Sequence, residues 1–180
     1  MNFNDVLTVT LTLFAVIDIL GSIPIIIGMR SKMGHIQSEK ATLVAGVIMI
    51  LFLFVGERIL SLIGIDVASF ALAGAFVIFL LALEMILNIE LFKADEGDTS
   101  GSIVPIAFPI IAGSGTLTTI ISLRSTYSIN DLVIGISVNL IFVYLILKST
   151  GKIERILGKG GINVLRRVFG IILLAIAIKL

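Results

Sequence analysis

Asp18-Ile19-Leu20-Gly21-Ser22-Ile23-Pro24 sets a carboxylate, a glycine, a hydroxyl and a proline in the middle of an apolar run that extends from Val6 to Met29. A segment that only had to cross lipid would keep its backbone hydrogen-bonded and its centre uncharged, because unsatisfied backbone groups and ionised side chains are costly in hydrocarbon. Both rules are strained here within about two helical turns. The run is still long enough to cross a hydrocarbon core of about 30 Å. The stretch therefore reads as a membrane span broken near the bilayer midplane.

Outward from it, the chain is apolar almost throughout. Of its 180 residues, 58% are hydrophobic and 14% charged, and the mean hydropathy is +1.19. These values lie outside the range of soluble domains and identify an all-α integral membrane protein. Further apolar runs cover about Ala41 to Ile63, Val67 to Ile89, Ile103 to Leu123, Leu132 to Leu147 and Val168 to Leu180, giving six transmembrane helices. The last run is too short to cross at about 1.5 Å per residue unless its helix starts near Ile162.

Between the third and fourth spans, Glu90, Asp95, Glu96 and Asp98 stand against a single Lys93. The chain divides there into a first three-helix repeat (1–90), an acidic cytoplasmic linker (91–102) and a second three-helix repeat (103–180). Because each half has an odd number of spans, the halves enter the membrane from opposite sides, as two inverted repeats. Matching segments occur in corresponding order: Gly21-Ser22 with Gly113-Ser114, and Gly74 to Ala82 with Gly170 to Ala177.

Placing the N-terminus outside puts Arg30, Lys32, Lys40, Lys93 and the basic stretch from Lys148 to Arg167 on the cytoplasmic side. Only Arg58, Arg124 and Lys179 remain outside, so both termini are expected to face away from the cytoplasm. Met1 to Asp5 lacks the basic region of a signal peptide, so the first span is expected to stay in the mature protein. The stretch from Lys148 to Arg167 reads as a loop attracted to anionic headgroups. Its Gly158-Lys159-Gly160-Gly161 lacks the spacing of a phosphate-binding loop. A net charge of +1 carries no nucleic-acid footprint. With no cysteine and a single histidine, His35, no disulfide, thiolate site or multi-histidine metal centre is expected, nor any cofactor.

The fourth span carries a second interruption, with Pro105, Pro109, Gly113, Ser114 and Gly115 inside an apolar run. Glycine and proline free backbone groups at membrane depth, where only protein or a water-filled cavity can satisfy them. Two broken helices in corresponding positions of inverted halves aim half-helix N-termini at an anionic substrate group. The candidate substrate site is thus Asp18, Gly21 and Ser22 with Gly113, Ser114, Gly115 and Thr116. A zwitterionic amino acid suits it, with the carboxylate on N–H donors and the ammonium on carbonyls or Asp18. Asp18 is also a candidate to cap a half-helix starting near Gly21. Together with Glu84, towards the cytoplasmic end of the third span, it is a candidate to carry a coupling proton.

Plainer readings stand beside these. The breaks are also explained as kinks that shape the bundle, and the hydroxyls of Thr116, Thr118, Thr119 and Ser122 as bonded to their own helix. Glu84 suits an interfacial or paired position, Glu57-Arg58 an outer ion pair, and Asn139 and Tyr144 the joining of helices. An enzyme is not expected, since no zinc-ligand pair, serine–histidine pair or paired aspartates lies in the spans.

At its two interruptions the chain resembles the MarC family of bacterial and archaeal membrane proteins, whose first helix commonly carries D-P-x-G and whose fourth carries P-x-x-A-G-P-G-T. The chain has Asp18-Ile19-Leu20-Gly21, followed by Pro24, and Pro109-Ile110-Ile111-Ala112-Gly113-Ser114-Gly115-Thr116. The resemblance covers almost the whole chain, including Ala73-Gly74 and the acidic linker. Ile19 and Ser114 each replace a proline usual in the family, while Asp18, Gly21, Gly113, Gly115 and Thr116 match. The resemblance implies a six-helix transporter of the cytoplasmic membrane, similar to the branch that carries small neutral amino acids such as glycine and alanine. Transport would follow the substrate's own gradient or be coupled to H⁺ or Na⁺. The alternative is a non-transporting membrane subunit or drug-response protein of the same family, using its polar helices for assembly.

Overall fold

The computed structural model describes residues 2–33, 36–89 and 106–179. The predicted linker 91–102, with Glu90, His35 and Pro105, lies outside the described residues. Those that are described form helices and turns, with no strand among them.

The first apolar run folds as two helices, α1 (Phe3–Ile17) and α2 (Ile23–Met33), separated at the polar stretch. Asn2 caps α1 by accepting from the Asn4 N–H, and the hydroxyls of Thr8 and Thr10 donate to carbonyls one turn back. Polar groups in this apolar helix are thus satisfied locally, as a bilayer requires. Helix α3 (Ser38–Ile63) stops at Gly64, whose φ of 77° is the left-handed conformation that glycine adopts without a Cβ penalty. Helix α4 (Val67–Leu87) starts at Asp66, whose carboxylate accepts from the Ser69 N–H at 2.7 Å and hydroxyl at 2.8 Å.

The fourth run is also divided. A short π-helical segment, α5 (Ile106–Ile111), itself kinked at Phe108, whose backbone is extended (φ −142°, ψ 127°), precedes α6 (Ser114–Arg124). Finally α7 (Ile129–Lys179) bends at Gly158, where φ is 61° and ψ 175°. The residues from 148 to 167, expected as a loop, are therefore helical on both sides of that one glycine. Lys148, Lys152 and Arg155 recur at helical spacing, so the stretch is a helix with a charged face rather than a loop. The second arm begins directly after Gly158, and residues 159–179 reach about 30 Å at 1.5 Å per residue.

Among the described residues, three helices are long and apolar enough to cross a membrane: α3, α4 and α7 over Ile129–Ile153. Leu43, Val47 and Leu51 of α3, Leu72 and Phe76 of α4, and Ile141 and Leu145 of α7 are all exposed. So wide an apolar surface needs lipid or protein against it.

The main core joins Val9, Leu13 and Ile17 of α1 to Ala41, Ala45, Met49 and Leu53 of α3 and to Leu132, Ile136 and Val143 of α7. Small residues set the distances: the methyls of Leu140 fill the space beside Gly46, and Val9 lies against Gly135. A second apolar cluster, built on Ala82, Met85 and Leu173, packs the second arm of α7 on α4, with Gly170 against Met85 and Ile86.

Polar joints cross between helices. The Asn139 amide donates to the Thr10 carbonyl at 3.1 Å and to the Gly135 carbonyl at 2.8 Å, tying α7 to α1. The Tyr144 hydroxyl accepts from Lys148 at 2.6 Å and donates to Glu39 at 3.3 Å, tying α7 to α3. The Arg124 guanidinium donates to the Leu53 and Phe54 carbonyls and holds the end of α6 on α3. Glu57 and Arg58 are both exposed, and as helix neighbours they do not face one another.

Candidate functional site

Asp18 ends α1 in the left-handed conformation, φ 43° and ψ 49°, and its N–H donates to the Phe14 carbonyl at 3.2 Å. Its carboxylate turns forward along the chain. Oδ1 accepts from the Gly21 N–H at 3.2 Å, and Oδ2 occupies the place a Cβ at Gly21 would need. A side chain at Gly21 would displace that carboxylate, so it is the close approach, and not φ, that favours glycine there. The Ser22 hydroxyl and N–H both donate to the Asp18 carbonyl at 3.1 Å, and α2 starts one residue later. Asp18 therefore closes one half-helix with its backbone and steadies the entry to the next with its side chain.

At the second break, Ala112 donates to the Ala107 carbonyl, five residues back, at 2.9 Å. Gly113 follows in extended conformation as the N-cap of α6, without a side-chain cap, and a Cβ there would overlap the Pro109 carbonyl. The first N–H groups of a helix have no carbonyl one turn back to receive them. With no side chain capping α6, the amides at Ser114, Gly115 and Thr116 form a positive helix end. Thr116 donates its hydroxyl to the Ile111 carbonyl at 3.0 Å and so bridges the break. Thr118 and Thr119 both donate to Gly115, turned in on their own helix.

Both breaks open onto one cavity of about 330 Å³. The first contributes Asp18 and Ser22, with Ala15, Val16, Ile17 and Ile25. The second contributes Gly113, Gly115 and Thr116, with Pro109 and Ile110. Helix α4 adds Ile78 and Leu81, and the second arm of α7 adds Leu173. Of the seven residues expected at the site, five thus line one space. Gly21 lies behind the Asp18 carboxylate, and the buried Ser114 hydroxyl, which has no hydrogen-bond partner, rests against Gly74 of α4. Glu84 is half-buried on α4 and does not line the cavity.

Sequence reasoning missed the aliphatic part of the lining, since Ile78, Leu81 and Leu173 look like any other lipid-span residues. It also missed Asp131, a buried carboxylate in the first turn of α7. Oδ2 of Asp131 accepts from the Ser128 hydroxyl at 2.6 Å, while Ser128 accepts from the Asp131 N–H at 3.3 Å. The signal was present in Ser128-Ile129-Asn130-Asp131, a serine followed three residues later by an acid at a helix start. Among the described residues no group of three His, Cys, Asp or Glu could hold a metal ion.

Comparison with known proteins gives relatives of nearly the same length. A UPF0056 membrane protein of Pyrococcus abyssi is 33% identical over 93% of this chain and 88% of its own. A UPF0056 membrane protein of Buchnera aphidicola is 29% identical over 98% of this chain and 94% of its own. The UPF0056 inner membrane protein YhgN of Escherichia coli shows the same identity and coverage, 29%, 98% and 94%. No solved structure matches the chain significantly. The family model for "MarC family integral membrane protein" matches residues 3–180. With that match over nearly its whole length, the chain belongs to the MarC family of integral membrane proteins.

Proposed function

We propose that the chain is a secondary transporter of small neutral amino acids. The observation that carries this reading is the cavity shared by the two helix breaks, which puts the Asp18 carboxylate and the uncapped N-terminus of α6 on the same space. An amino acid zwitterion needs an acceptor for its ammonium and donors for its carboxylate. Asp18 and the Ser22 region supply the first, and the amides at Gly113 to Thr116 supply the second. Ser114 acts by seating the start of α6 on α4, and Gly21 by leaving room for the Asp18 carboxylate.

In this reading α1 with α2, α3 and α4 form one three-helix half. Helices α5 with α6 and the two arms of α7 form the other, inverted relative to it. The halves rock about the cavity for alternating access. The membrane is the cytoplasmic one, as for YhgN, and both termini lie outside the cytoplasm. Asp18, or Glu84 one helix away, carries the coupling proton if transport is H⁺-driven; Na⁺ coupling would draw on the carbonyls freed at the breaks.

The test is uptake of labelled alanine into proteoliposomes holding the purified chain, with Asp18→Asn as the variant. Asparagine keeps an oxygen to accept from the Gly21 N–H but removes the charge. Loss of a charged hydrogen-bond partner costs about tenfold or more in affinity, so uptake at low alanine should fall by at least that factor. Undiminished uptake in Asp18→Asn would remove the carboxylate from the mechanism.

A further inference from the structure

The polar side chains of the cavity all come from the two breaks, whereas α4 and α7 supply only Ile78, Leu81 and Leu173. Ile25, Ile78 and Leu173 belong to one apolar cluster, so they are parts of a continuous wall and not scattered contacts. Leu81 lies three residues after Ile78, on the same face of α4. At about 30 Å³ per water, 330 Å³ holds on the order of ten waters. Glycine has only five heavy atoms. Bound between Asp18 and α6 it would leave most of that volume as water against four aliphatic side chains, which the hydrophobic effect disfavours.

We propose that Ile25, Ile78, Leu81 and Leu173 form a side-chain subsite that makes the cavity prefer neutral amino acids with a branched aliphatic side chain, such as valine or leucine, over glycine and alanine. This rests on the transporter reading and deepens it: the breaks hold the amino acid's charged groups, and the wall from α2, α4 and α7 measures its side chain. Each additional methylene strengthens binding by up to about fourfold when fully buried, so valine, with two more carbons partly buried, should outbind alanine by about tenfold. The polar breaks give no such discrimination, because every neutral amino acid presents them with the same ammonium and carboxylate.

The experiment is competition against labelled alanine uptake in proteoliposomes by unlabelled glycine, alanine, valine and leucine. Valine is expected to compete about tenfold more strongly than alanine and more strongly still than glycine. Two variants move the wall in opposite directions. Leu81→Phe narrows the space and should cut the valine-to-glycine ratio about tenfold, while Ile78→Ala widens it, removes part of the wall and should lower the valine-to-alanine ratio several-fold. Ratios, not absolute rates, are the readout, and if one variant fails to fold the other decides. A flat ranking in the wild-type chain, or ratios unchanged within twofold in a variant that transports, overturns the subsite and leaves the transporter reading standing. Absence of labelled alanine uptake by the wild-type chain overturns the transporter reading itself.

Discussion

Gly74 stands where α4 touches the first turn of α6, and a Cβ there would fall on the Ser114 hydroxyl. The contact is buried and holds no hydrogen bond, so shape alone keeps the two helices at this distance. Gly74→Ala should cost about 1–3 kcal/mol, the usual range for overpacking a tight contact. The same alanine in a Ser114→Gly background, which removes both overlapping atoms, should recover most of that loss. Thermal unfolding of the detergent-solubilised chain measures both variants; an unshifted midpoint in Gly74→Ala would mean that α4 and α6 are not pressed together there. The sequence made half of this legible. Ala71, Gly74 and Ala75, small and three or four residues apart, suit a helix face for close approach, but small residues do not name what approaches them. The same limit applies to Ile78, Leu81 and Leu173, whose place in the cavity depends on which helices pack together. Asp18 and Gly21 were readable because a carboxylate and a glycine in an apolar run break a local rule, and local rules need no knowledge of the fold.

At the scale of elements, the broken helices follow from backbone chemistry alone. Proline and glycine inside an apolar run release carbonyls and amides, and the interruptions fall at Asp18 to Ser22 and at Ala112 to Gly113. Helix starts obey equally local chemistry. At α4 the hydrogen bonds from the Ser69 backbone and hydroxyl hold the Asp66 carboxyl below its ordinary pKa of 3.8. A depressed folded-state pKa means that the ionised cap stabilises the fold above the unfolded value and loses that effect as pH falls through the lower folded value. Asp66→Ala should therefore lower the unfolding midpoint at neutral pH. The gap to the wild-type chain should shrink below pH 3.8, with the folded-state pKa marking its loss. A gap that stays constant into acid would show that the carboxylate's charge contributes nothing to the cap. The stretch from Lys148 to Arg167 was harder to read, because charge and glycine content signal a loop equally well. Its helicity comes from Lys148, Lys152 and Arg155 sharing a face while Leu147 and Thr150 bury the other, with the break confined to Gly158.

At the scale of the whole molecule, the proposed inverted arrangement places loops on defined sides, and the charge pattern supports one assignment of them. With the N-terminus outside, the ends of α3 and α6 face out, and the bend of α7 at Gly158 faces the cytoplasm, where Lys152 and Arg155 obey the positive-inside bias. The chain has no cysteine, so each introduced thiol reports on a single place. Ser61, Thr126 and Lys152 are exposed and lie at the end of α3, after α6 and near the bend of α7. Ser61→Cys and Thr126→Cys should react in intact cells with a maleimide that cannot cross the membrane, whereas Lys152→Cys should react only after permeabilisation. Ser61 and Thr126 end spans two and four of the proposed order, so their shared accessibility tests the odd count of spans in each half. If the two label on opposite sides, the halves do not have that count, and a site formed by opposed half-helices loses its basis. If both label on one side and Lys152 labels with them, the second arm of α7 does not return across the membrane, and the second half is not the inverse of the first.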